Sequence, residues 1–146
     1  MASDIQKLRE ETSAGVMDCK KALDEAKGDY NLAKEIIFKK GIAGAEKRAD
    51  RATGASVLET YIHNGRVGVL LELGCETDFV GHSDPVKELA KNLVLHIAAM
   101  APESVEDLLK QPYAKDPNLT VENLIKNTIA KVGENMKVQR FARYQI

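Results

Sequence analysis

Three histidines, two cysteines and a scatter of carboxylates are the groups in this chain that could do chemistry, and their spacing decides which chemistry is open to them. His63, His82 and His96 are expected at a turn, a loop and a helix flank with no shared periodicity, so no nucleophile, base and orienting group converge. Cys75 stands beside Glu76, and a thiolate needs positive neighbours, so the adjacent carboxylate works against it. Cys19 falls on the apolar face of a helical segment, where cysteine packs as a small hydrophobe. Glu72, Glu76 and Asp78 lack the oxygen-rich loop spacing of a calcium site, and no His/Cys cluster serves zinc. Gly41, Gly44 and Gly54 form neither GxGxxG nor a P-loop. The chain is therefore expected to be no enzyme, to hold no metal and to carry no cofactor.

What stands out instead is the stretch 72–80, Glu-Leu-Gly-Cys-Glu-Thr-Asp-Phe-Val, where an apolar strand runs into a polar loop carrying Phe79 beside Asp78. A large aromatic just past a strand end, ahead of the helix start Ser83-Asp84-Pro85, either tucks onto that helix or stands exposed to enter something else. Asp78 fits either an Asx-turn that holds the loop or a polar contact made outward.

At 146 residues the chain has room for one modest core and a small satellite module. Its 44% hydrophobic and 29% charged content is ordinary globular usage, which places it in the soluble, folded class. A net charge of -1 gives no overall pull towards nucleic acid or an anionic membrane. The densest basic group, Lys39, Lys40, Lys47, Arg48 and Arg51, is diluted by Glu46 and Asp50, lacks nearby aromatics for base stacking, and reads as a solvated linker face. No segment approaches the ~20 apolar residues of a bilayer span, and residues 1–4 lack signal-peptide character. Two distant cysteines without CxxC spacing read as free thiols, so the expected location is the cytoplasm.

The elements that must position the 72–80 stretch follow from periodicity. Residues 3 to about 40 read as three short helices, with Ser3 and Asp29 as N-caps, a break at Thr12-Ser13-Ala14-Gly15, and Gly28 and Gly41 as stops. Cys19, Leu23 and Ala26 share one face of the second; Tyr30, Ala33, Ile36 and Ile37 face inward on the third. Small and charged residues over 42–54 suggest a linker of partial helicity, dividing a module at 1–41 from a core domain at 55–146. Asn64-Gly65 predicts a hairpin with His63 opposite Arg66, which puts Leu58, Thr60 and Ile62 on one face with Val67, Val69 and Leu71. Asp84-Pro85 opens an amphipathic helix striped by Val86, Leu89, Ala90, Leu93, Val94, Ile97 and Ala98. A short helix after Ser104, a loop forced by Pro112 and Pro117, a helix from Thr120 to Gly133, and a strand over 137–144 complete the chain. The expected fold is α+β, with a small antiparallel three-stranded sheet packed with helices.

Two long segments carry a resemblance to a known family. Residues 8–23, Leu-Arg-Glu-Glu-Thr-Ser-Ala-Gly-Val-Met-Asp-Cys-Lys-Lys-Ala-Leu, and residues 72–80 resemble, in the right order, the two signatures of the translation elongation factor Ts family, the nucleotide-exchange factors for elongation factor Tu. Residues 129–136, Ile-Ala-Lys-Val-Gly-Glu-Asn-Met, are a third, shorter similarity. Ser13 stands where the family usually has glycine, Gly74 where a bulkier or amide residue is usual, and Gly81-His82 replace a small-then-basic pair. The resemblance implies a ubiquitin-associated-like N-terminal module that docks on the GTPase through residues around Leu8, Arg9, Thr12, Met17 and Lys20. It implies that Thr77, Asp78, Phe79 and Val80 disturb the partner's Mg²⁺ site, with Phe79 as a wedge and Asp78 anchoring by polar contacts, so that GDP leaves. It further implies a homodimer, through sheet edges or the 84–100 helix; charge and hydropathy, independently, lead us to expect neither nucleic acid nor membrane as direct partner. The alternative is a helical protein-binding adaptor without exchange activity.

Overall fold

The structure, a computed structural model, describes residues 2–146. Helices α1 (Ala2–Thr12), α2 (Val16–Glu25) and α3 (Tyr30–Lys47) each put a short apolar stripe inward. Leu8, Cys19, Ala22, Leu23, Ala26 and Ala33 form their shared core, with Tyr30, Ile36 and Ile37 packed at its edge. Gly28 at φ 85° closes α2, its N–H donating to the Leu23 carbonyl at 2.9 Å, and Asp29 caps α3 through the Leu32 N–H at 3.1 Å. Ser3, expected as a cap, lies inside the first turn of α1.

Gly41 does not stop α3. The helix runs six residues further, to Lys47, so the expected 42–54 linker is helical over its first part. A Cβ at position 41 would sit 3.1 Å from the Ala130 Cβ, so the glycine lets two helices approach closely rather than ending one. Ala45, a turn later, is buried in the larger core, and Glu46 accepts from Lys126 Nζ at 3.1 Å. One helix thus serves two hydrophobic clusters.

The larger core is a sheet of order β1-β2-β5, antiparallel throughout, built from β1 (Ala55–His63), β2 (Val67–Cys75) and β5 (Met136–Gln145). A one-turn helix α4 (Asp78–Gly81) follows β2, and α5 (Asp84–Met100) then lies across the inner face of the sheet with its expected stripe buried. Helices α6 (Val105–Lys110) and α7 (Val121–Val132) pack into the same core from beyond α5, leaving the outer face of the sheet bare. The expected proline loop between them is a small ribbon, β3 (Pro112–Tyr113) against β4 (Asp116–Thr120). Buried His96 ties α5 to that ribbon: its Nε2 donates to Gln111 Oε1 at 2.8 Å, and its Nδ1 accepts from the Ala114 N–H at 3.1 Å. Arg143 on β5 donates to the Ala98 carbonyl at 2.9 Å, near the C-terminal end of α5 where positive charge is favoured.

The hairpin register differs from expectation by one residue. Asn64 (φ 51°) and Gly65 (φ 65°) do form the turn, but His63 pairs with Val67 rather than Arg66. The Arg66 carbonyl is taken by the Ile146 N–H at 3.0 Å, a contact from the far end of the chain that no local hairpin rule contains. Because side chains alternate, this single step exchanges the faces of β1. Val57 and Tyr61 now pack inward opposite Leu73 and Val69, while Leu58 and Ile62 lie 68% and 69% exposed on the outer face.

Ser13 holds φ 57° at the end of α1, a conformation costly to any residue with a Cβ. Ser13→Gly is expected to stabilise the chain by about 0.5–1 kcal/mol, after allowing for the entropy glycine adds to the unfolded state. A urea midpoint followed by far-ultraviolet circular dichroism checks this, and an unchanged or lowered midpoint counts against it.

Candidate functional site

The buried end of β2 sets the geometry of the 77–81 segment. Leu73, Gly74 and Cys75 are buried, and the Cys75 Sγ–H donates to the Thr77 carbonyl at 3.3 Å. The expected loop is a helical turn: Thr77 is the N-cap of α4, its Oγ1 accepting from the Val80 N–H at 3.3 Å. The Thr77 hydroxyl donates to the Glu134 carboxylate, whose two oxygens both lie 3.1 Å away. Capping therefore falls to Thr77 and not to an Asx-turn at Asp78.

A four-residue turn can face only part of its surface inward. Val80 is 8% exposed and packs with the core, Gly81 is buried, and the Val80 carbonyl accepts from Ser83 Oγ at 2.6 Å. Phe79 is consequently turned outward and is 88% exposed, the most exposed large hydrophobic side chain among the described residues. Of the four residues expected to act together, Thr77, Asp78 and Phe79 face solvent, whereas Val80 is the anchor beneath them. The Asp78 carbonyl receives both the His82 N–H at 3.2 Å and His82 Nδ1 at 2.7 Å, which places the imidazole proton on Nδ1 when the ring is neutral. Asp78 is solvent-exposed, and its carboxylate has no hydrogen-bond partner among the described residues. Phe79, Asp78, His82, Ser83 and Asp84 together line a shallow, open depression.

The N-terminal residues separate in the same way. Arg9, Met17 and Lys20 are exposed, Met17 at 61%, with Val16 beside them. Thr12 is half-buried, donating from Oγ1 to the Leu8 carbonyl and accepting from the Ala14 N–H. Leu8 is fully buried, so it holds the module together and offers no surface for contact.

No covalent chemistry gathers at either surface. Burial pushes the Cys75 thiol above its usual pKa, and nearby Glu134 and Asp78 add to this; burial does the same to Cys19. His63 bonds to the Tyr61 hydroxyl at 2.8 Å on the hairpin tip, far in the chain from His82 and buried His96. Among the described residues no cluster of three His, Cys, Asp or Glu side chains could hold a metal, and no helix is long and apolar enough to cross a membrane.

Two features at the site are not legible as local motifs. Glu134, 57 residues from Thr77, supplies its acceptor, and the Asn135 N–H donates to Glu76 Oε1 at 2.8 Å. The outer face of the sheet is the other. Leu58, Ile62 and Leu70, with Tyr144 at 78% exposure, share that face through the β1-β2-β5 pairing.

The family model described as "Elongation factor TS" matches residues 31–107 and, overlapping, 76–146. The chain is 50% identical to "Elongation factor Ts" of a Nostoc species over 97% of its own length, spanning 45% of that protein. It is 40% identical to "Elongation factor Ts" of Fervidobacterium nodosum, over 99% of this chain and 97% of the relative. For that of Thermotoga neapolitana the identity is 43%, over 97% of this chain and 94% of the relative. The Fervidobacterium alignment runs over 191 positions against a chain of 146, so the relative carries inserted residues that this chain lacks.

A Cβ at Gly81 would meet Val57 Cγ1 at 2.9 Å and Cys75 Sγ at 3.1 Å, both held by the core. Gly81→Ala is expected to destabilise by about 1–3 kcal/mol, the usual cost of overpacking. Thermal unfolding followed by near-ultraviolet circular dichroism tests it; an unshifted midpoint shows that α4 yields freely.

Proposed function

This chain belongs to the elongation factor Ts family, the nucleotide-exchange factors of translation elongation, and we propose that it acts on elongation factor Tu through the Phe79 turn and the N-terminal module together. The observation that carries the reading is the outward Phe79 ring beside the inward Val80. A folded chain gains nothing from holding a phenyl ring in water, and the same ring gains ~1.5–3 kcal/mol on entering an apolar pocket.

A GTPase holds GDP through its phosphate loop and a Mg²⁺ ion, so displacing the elements around that ion weakens the nucleotide without touching the base. In this reading Phe79 is the wedge between partner side chains, and the unpartnered Asp78 carboxylate makes the polar contact beside it. Thr77 caps the turn and Val80 roots it. Arg9, Met17 and Lys20, with the accessible part of Thr12, supply the second contact, while Leu8 acts only through the fold of the module. By linkage the factor loosens nucleotide as much as nucleotide loosens the factor, and each ~1.4 kcal/mol of coupling is about tenfold in affinity. The protein then forms and breaks no covalent bond; it changes which state of its partner is populated.

The homodimer expected from the resemblance is best served by the outer face of the sheet. Helix α5 is spoken for, because its apolar stripe is buried within the chain. Leu58, Ile62, Leu70 and Tyr144 leave a contiguous apolar surface, bordered by the Glu72–Arg140 pair at 2.8 Å, that a second copy can cover by two-fold symmetry. We place the protein in the cytoplasm, with no direct contact to nucleic acid or membrane. Lys40 and Arg51 of its basic group already face Glu25 and Glu76, at 3.2 and 3.7 Å.

Phe79→Ala is expected to slow release of a fluorescent GDP from elongation factor Tu by about tenfold or more with the thermal midpoint unchanged, since an exposed ring adds little to the fold. Binding by the native chain without accelerated release points to the adaptor. Ile62→Glu, which sets a charge on the proposed dimer face, is expected to yield monomers in sedimentation equilibrium at concentrations where the native chain dimerises. A native chain that sediments as a monomer removes the dimer from the account.

A further inference from the structure

The 129–136 segment, the third similarity, has so far no part in the exchange reading, yet its end meets the wedge at its base. α7 stops at Gly133, whose φ of 74° turns the chain so that Glu134 and Asn135 lie against Glu76 and Thr77. We propose that this 133–135 turn is a clasp that sets the pose of the Phe79 ring, with Glu134 as a positioning residue for nucleotide exchange; the inference rests on the wedge reading above.

A single helical turn has almost no stability of its own, because nucleation is the costly step. α4 has four residues, so its orientation must come from outside it. Val80 and Gly81 fix its inner side by packing, Ser83 and His82 hold its C-terminal end, and the exposed N-terminal end is left to contacts at Thr77. The clasp holds the N-terminal end with two bonds between adjacent residue pairs, Thr77 with Glu134 and Glu76 with Asn135. The Glu134 carboxylate accepts a hydrogen bond from the Thr77 hydroxyl, and the Asn135 backbone N–H donates to the Glu76 side chain at 2.8 Å.

Thr77 Oγ1 is both acceptor from Val80 N–H and donor to Glu134. A charged acceptor polarises the hydroxyl and strengthens the cap that forms the turn. The turn that bears Glu134 is itself immobilised. Asn135 is 2% exposed, and its Nδ2 donates to the Ala49 carbonyl at 3.3 Å and the Arg51 carbonyl at 2.8 Å. The restraint therefore runs from the segment after α3, through Asn135, to the base of the wedge.

A side chain that must be inserted to act gains from being held in its working pose beforehand. Loosening the clasp leaves the ring and the module surface in place, so encounter with the partner survives while the inserted pose is less populated. The signature is a lowered limiting rate at unchanged half-saturation.

The test titrates elongation factor Tu carrying fluorescent GDP with the native chain, Glu134→Ala, Glu134→Gln, Phe79→Ala and the Phe79→Ala/Glu134→Ala double variant. Glu134→Ala is expected to lower the limiting release rate about five- to tenfold, the loss of one charge-assisted hydrogen bond, with half-saturation within about twofold. Glu134→Gln keeps an acceptor oxygen and should stay within about twofold of native on both measures. In the Phe79→Ala background the Glu134→Ala change should add nothing, because there is no ring left to aim. In the free protein, amide exchange at Val80 should quicken in Glu134→Ala and not in Glu134→Gln. Native rates in Glu134→Ala beside a slow Phe79→Ala overturn the clasp alone, whereas native rates in Phe79→Ala overturn the wedge and the clasp with it. Equal loss in the Ala and Gln variants, or half-saturation rising in step with the lost rate, makes Glu134 a partner contact and also overturns the positioning role.

Discussion

The outward face of the 77–81 turn depends on the burial of Val80 and Gly81. These two residues sit where the last turn before α5 meets Val57 and Cys75, with so little room that even a methyl group at position 81 collides. A one-turn helix seated on that side has no choice but to carry its remaining side chains outward. The exposure of Phe79 follows from packing beneath its neighbour. The hydrogen bonds around it refine a direction that van der Waals contact has already chosen: Thr77 on Val80, Ser83 on Val80 and Glu134 on Thr77.

The same logic of shared burial joins the two parts of the chain. α3 gives its first turns to the small three-helix cluster and its last to the larger core, with Gly41 against Ala130 and Ala45 inside. A flexible linker would let the N-terminal surface wander relative to Phe79. A continuous helix with both halves packed transmits position, which is what two contacts on one partner require if the second is to gain from the first. The segment after α3 extends this connection, since Asn135 holds the Ala49 and Arg51 carbonyls and its own N–H holds Glu76.

The sheet shows how a small change in backbone pairing creates a surface. The Arg66 N–H still closes the turn on the His63 carbonyl at 3.0 Å while its own carbonyl bonds Ile146, and β1 pairs one residue off the simple hairpin register, so that its even-numbered side chains turn to solvent. Leu58 and Ile62 then join Leu70 and Tyr144 in an apolar face larger than a lone exposed leucine would suggest. A three-stranded sheet covered by helices on one side only has such a second face by construction, and its chemistry is set by register.

Much of this was legible in the residue order because it depends on local rules. The helices, the Asn64-Gly65 turn, the buried stripe of α5, the caps at Asp29 and Thr120, and the stop at Gly133 each follow from capping, periodicity or positive φ within a few residues. The aromatic at Phe79 beyond a strand end was visible too, although sequence left open whether it lay inside or outside. That question turned on whether residue 80 or 79 met the core, which only the assembled sheet and helix decide. The readings at Gly41, the hairpin register, Leu8 and the 77–80 loop changed for one reason. Each was settled by a group distant in the chain or by three-dimensional packing: Ala130, Ile146, the closed three-helix core, and Glu134 with the floor under Val80. Sequence by itself determined most of the helices, the three long strands and which residues are apolar enough to be buried, but not the α4 turn, the β3-β4 ribbon or the reach of α3. Tertiary structure decided which of two neighbouring apolar groups is spent on the core and which remains at the surface, because only the finished fold has a limited amount of interior to fill.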